Sequence, residues 1–70
     1  MSLDEALVAY YAAFVMNKGN ADKIVSDFKA ALTPAGKEEV GQRLQGLQGI
    51  DENRCFISKI NRQFMELVLK

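Results

Sequence analysis

Between Ala6 and Met16 the chain carries no charge and no polar group beyond the hydroxyls of Tyr10 and Tyr11. That run constrains the fold more than any other. A helix with no polar face must be covered on more than one side. The remainder of a 70-residue chain offers little to wrap it. The run therefore predicts cover from a second copy or from another protein.

Its flanks favour a helix over about residues 3–18. Ser2 and Glu5 have capping-box spacing, in which each side chain satisfies the other's backbone N–H. Asp4 and Glu5 place negative charge at the positive end of the helix dipole. Ala6, Ala9, Ala12 and Ala13 raise helix propensity, and Lys18-Gly19 reads as a stop. Leu3, Leu7, Tyr10 or Tyr11, and Phe14 form one face. Val8, Tyr11 or Ala12, and Val15 form the opposing one. Ala9 and Ala13, one turn apart, would admit another helix closely. The alanines argue against a strand. A membrane span needs about 20 apolar residues, and this run has about half of that. Acidic residues stand where a signal peptide would be basic.

Three more helices follow. Asn20 caps a segment over about 21–32, with Ile24, Val25, Phe28, Ala31 and Leu32 as its apolar stripe. Asp22, Lys23, Asp27 and Lys29 fall on its solvated side. Thr33-Pro34 starts a third helix over about 34–48, with Val40, Leu44 and Leu47 as a narrow stripe. Glu39 and Arg43 are spaced for an i, i+4 pair. Gly36, Gly41 and Gly46 weaken this helix, each by about 1 kcal/mol against alanine. They read as a mobile helix or, less simply, as points of close approach to a partner. Gly49 ends it. Asp51 is the expected cap of the last helix, over about 52–69. There Phe56, Ile57, Ile60, Phe64, Leu67 and Val68 form the stripe. Met65 and Leu69 widen it, and Arg62, Glu66 and Lys70 form an outer ladder. The expected architecture is a single all-α domain, a compact bundle of three to four short helices, dimeric.

Composition narrows the chemistry. Apolar residues make up 49% of the chain, enough for a core. A core this small supplies only about 3–5 kcal/mol without a staple or an oligomer. One cysteine and no histidine leave no internal disulfide and no zinc site of nitrogen and sulfur ligands. Association is the remaining staple. The missing histidine also removes the commonest general base. Cys55 sits beside Arg54 near a helix start, where its thiol could be activated; the plainer reading is a small core residue beside Phe56. The carboxylate pairs Asp4/Glu5, Glu38/Glu39 and Asp51/Glu52 all lie near helix starts, where the dipole accounts for them. No phosphate-binding glycine motif is present. Neither an enzyme nor a cofactor is expected. The single thiol and the lack of a targeting segment suggest the cytoplasm.

Two functions of different class remain. The first is a homodimeric protein-interaction module, a regulator or inhibitor that docks on a larger bacterial protein, such as a phage- or plasmid-encoded inhibitor. Its contacts are expected at Leu7, Tyr10, Tyr11 and Phe14 on the first helix, and at Phe56, Ile60 and Phe64 on the last. Arg43, Arg54 and Arg62 are the expected polar anchors, since arginine and tyrosine are enriched in hot spots. Phe28, Phe56 and Phe64 also read as plain core, and at least one of Tyr10 and Tyr11 must reach an edge. A subunit of a larger hetero-assembly would share all these features. The second is a helix-turn-helix DNA binder, with Lys37, Gln42, Arg43, Gln45 and Gln48 facing bases. Nine basic against nine acidic side chains leave no net attraction to phosphate.

Overall fold

Every helix start but the last lies where the sequence places it. In the computed structural model, which describes residues 1–70, the chain forms four α-helices and no strand. Helix α1 spans Leu3–Val15, α2 Ala21–Ala30, α3 Pro34–Gln45 and α4 Phe56–Leu69. The Ser2 hydroxyl accepts the Glu5 N–H, and Glu5 Oε1 accepts the Ser2 N–H, both at 3.2 Å. Asn20 Oδ1 accepts the Lys23 N–H at 3.1 Å, and Thr33 Oγ1 accepts the Gly36 N–H at 3.0 Å. Each cap satisfies one of the donors a helix start leaves free.

The helix ends come earlier than the sequence suggests. α1 stops at Val15, short of Lys18. Asn17 takes the left-handed conformation (φ 56°), and the N–H groups of Met16 and Lys18 both donate to the Ala12 carbonyl. Asparagine tolerates that backbone better than most residues, so the stop falls one turn before Gly19. α2 ends at Ala30 because the Leu32 N–H turns back to the Lys29 carbonyl, three residues away. α3 ends at Gln45, and the chain continues to Ile50 in three-residue turns through Leu44, Gln45 and Leu47. Gly49 closes those turns at φ 84°.

The start of α4 corrects the sequence reading by four residues. Asp51 is not its cap. The Asp51 carboxylate accepts the N–H of Asn53 at 3.0 Å, and its carbonyl accepts the N–H groups of Arg54 and Cys55. A local turn thus captures the acid before a helix can use it. Cys55 occupies the cap position without a side-chain capping hydrogen bond.

α4 is the central element and packs against the other three helices. It buries Ile60, Phe64, Met65 and Val68. α1 buries Leu3, Ala6, Leu7, Tyr10 and Ala13, and α3 adds Val40. α2 buries no residue fully; it lays Ile24, Val25, Phe28 and Leu32 against the cluster. Phe64 lies at the centre, its ring centroid 5.0 Å from Tyr10 and 5.5 Å from Phe28, in tilted arrangements that aromatic quadrupoles favour. α1 is thus covered on one face only. Val8, Phe14, Val15 and Met16 remain exposed.

Candidate functional site

The uncovered side of α1 continues onto the start of α4. Val8 and Val15 are seven residues apart with Tyr11 between them, so all three share a face. The Tyr11 ring meets Phe56 edge-on at 6.4 Å. Ile57 and Asn61 of α4, with Leu7, Val8 and Tyr11 of α1, line a shallow cleft of about 280 Å³. Asp4 and Arg43 form its lip. Val8 is 71% exposed, Phe56 50% and Ile57 56%. These are large apolar side chains set side by side in water, at the junction of α1, α3 and α4.

The residues expected at an interface divide into two layers. Leu7, Tyr10, Ile60 and Phe64 lie in the chain's own core and support the face from behind. Tyr11 is half-buried at the surface, whereas Phe14 and Phe56 stand half out of it. Phe14 stacks on Tyr10, with ring centroids 5.6 Å apart. Phe56 is therefore not a core residue, and Phe28 is only partly buried. Val8 and Ile57, the most exposed members of the strip, belong to no expected contact set. The signal for Val8 was its place on the opposing face of α1; for Ile57 it was its position beside Phe56.

The three arginines are already engaged. Arg43 does not pair with Glu39. Its Nη2 donates to Asp4 Oδ1 at 3.0 Å, joining α3 to the first turn of α1. Arg54 is 89% exposed and lies 3.6 Å from Asp51. Arg62 grips both Glu52 oxygens at 2.7 and 2.9 Å, and also donates to Glu66 at 2.7 Å. The outer ladder thus ends at Glu66 without reaching Lys70, and Arg62 also reaches Glu52 in the loop before α4. The Glu52 and Glu66 hydrogen bonds raise the guanidinium pKa further above its ordinary value. The Arg62 hydrogen bond holds the Glu52 carboxyl below the usual range.

The surface carries two further features. A groove of about 470 Å³ opens between the start of α1, α2 and the start of α3, walled by Leu3, Ile24, Phe28 and Leu32. Its size exceeds that of the cleft, but Asp27 on its rim is already bound by Lys23 at 2.6 Å. Cys55 is half-buried, and its sulfur lies 3.0 Å from Ser58 Oγ. That hydrogen bond lowers the thiol pKa. No three of the acidic and thiol side chains converge as a metal site would require. No helix is long and apolar enough to cross a membrane.

No protein-family model, curated protein or solved structure matches the chain. The functional reading therefore rests on the geometry of the α1–α4 face.

Proposed function

We propose that the chain is a small non-catalytic association module, a homodimeric regulator or inhibitor that docks on a larger bacterial protein. The observation that carries this reading is the contiguous strip of exposed Val8, Phe56 and Ile57 around half-buried Tyr11. Apolar area held in water forgoes about 25 cal/mol per Å² of stabilisation. Large exposed apolar patches mark association surfaces in soluble chains. A chain of 70 residues also has the most to gain from covering one.

The helix-turn-helix alternative draws less support. α2 and α3 hardly pack on each other, whereas α2 leans on α1 and α4. On α3, Arg43 is tied to Asp4 and the Gln42 amide lies 3.5 Å from Glu38. Lys37 is left as the free basic side chain of that helix.

Solvent access to the strip tests the proposal. A soluble nitroxide broadens the methyl resonances of side chains it reaches. At high protein concentration the Val8 and Ile57 methyls should be spared, and on dilution they should broaden as strongly as those of exposed Met1. Equal broadening at every concentration would mean that no second copy covers the face.

A further inference from the structure

We infer that the start of α4 is a latched kink. The Arg62–Glu52 ion pair holds the turn at residues 51–55 bent away from α4, and release of that pair lets turn and helix fuse into one helix that begins at Glu52. The change lies in the chain's own backbone and does not depend on the association reading; its effect on the exposed strip does.

Both parts of the longer helix are already formed. The Asp51 carbonyl accepts the N–H groups of Arg54 and Cys55, each at 3.0 Å, which closes a helix-like turn. The Lys59 N–H donates to the Cys55 carbonyl, so the ladder of α4 starts where that turn ends. The break falls at Cys55, with φ −127° and ψ 85°, whereas a helix has ψ of about −42°. The Phe56 N–H, which an unbroken helix bonds to the Glu52 carbonyl, has no backbone partner. Asp51 and Glu52 are also the residue types of a helix start. Arg62 opposes all this. It grips both Glu52 oxygens at 2.7 and 2.9 Å across ten residues. In an unbroken helix, residues ten apart stand about 15 Å apart along the axis, and side chains pair at three or four residues. The ion pair and the straight helix therefore exclude each other. No other side-chain hydrogen bond ties residues 46–54 to α4. Residues 51–55 contribute nothing to the apolar core. Gly49, at φ 84° with open space around it, is a ready hinge. Once the helix is straight, Glu52 and Asn53 stand one turn before Phe56 and Ile57, so polar side chains then border the apolar strip.

Backbone NMR of the full chain tests the latch, with Glu52→Gln and Arg62→Gln opening it from either side. Glu66→Gln is the control, since it removes the other Arg62 bond and leaves the loop alone. In the parent chain the Cα shifts of α4 should turn helical only from Phe56. In Glu52→Gln and Arg62→Gln they should be helical from Glu52 without a break at Cys55. The Phe56 amide should then exchange with solvent at least tenfold more slowly than in the parent. Glu66→Gln should keep the parent pattern. The ring shifts around Phe64 report that each variant keeps its core. A folded Glu52→Gln chain that retains the break at Cys55 would overturn the latch. So would a Glu66→Gln chain that straightens equally. Loss of the core in both opening variants would also overturn it, because the pair would then be holding the whole fold and not a kink.

Discussion

The Gln63 side-chain amide of α4 donates to the Tyr10 hydroxyl of α1 at 2.7 Å, which ties the two helices behind the exposed strip. Tyr10 is only 2% exposed, so its hydroxyl depends on this partner. Tyr10→Phe keeps the ring contacts with Phe14 and Phe64 and removes only the bond. It should lower stability by about 1 kcal/mol, the net value of such a bond. Urea unfolding measures it. Because the Gln63 amide retains partial access to water, a loss above about 3 kcal/mol would mean that the hydroxyl holds more than this one contact.

Phe64 and Phe56 look alike in sequence and should differ sharply on truncation. Phe64 is fully buried among Tyr10 and Phe28. Phe64→Ala should cost about 3–5 kcal/mol, as much as a core this small supplies, and the chain should lose its cooperative thermal transition. Phe56→Ala should cost no more than about 1 kcal/mol of folding stability and should weaken self-association instead.

That contrast also shows what the sequence can and cannot reveal. Three helix starts were legible because Ser2, Asn20 and Thr33 act within three residues of themselves. The start of α4 was not, because Asp51 had two local uses and the turn to Asn53 took precedence over the cap. Phe56 was read as core from its four-residue spacing to Ile60 and Phe64. Ile57 lies only about 20° from Phe64 around the helix and is 56% exposed all the same, so the place of Phe56 and Ile57 in the first turn of α4, rather than their angle, leaves them outside the core. The pairs Asp4–Arg43 and Glu52–Arg62 join distant segments, and sequence spacing exposes only neighbours on one helix. The face itself was legible in outline from the Ala6–Met16 run. Which of its residues would sink into the core depended on where α4 crossed it.

Acid should loosen the fold through Glu52 and Glu5. The Arg62 hydrogen bond lowers the Glu52 carboxyl below its ordinary value of 4.5, and the Ser2 hydrogen bonds do the same for Glu5. For both, the unfolded chain takes up the proton first. Their contribution is complete above the unfolded value and is lost as pH falls through the folded one. The melting temperature should therefore drop between about pH 5 and pH 3. Glu52→Gln should melt lower at neutral pH and show a shallower acid slope. Parallel slopes for the two chains would contradict the assignment to Glu52.

Gly41 separates the two readings of the glycines on α3. A Cβ built there meets nothing within 4 Å, while one at Gly36 would come within 2.9 Å of Leu32. Gly41→Ala should raise stability by about 0.5–1 kcal/mol through helix propensity alone. Thermal unfolding and self-association are read together. Raised stability with unchanged association marks a helix that is simply weakened by glycine. Weakened association would instead place Gly41 against the second copy.

The most direct test of the central claim is the solution mass of the isolated chain, by light scattering over a dilution series. The account predicts about twice the 7.8 kDa chain mass at high concentration, falling toward one chain on dilution. A mass of one chain at every concentration, with cooperative unfolding retained, would contradict it.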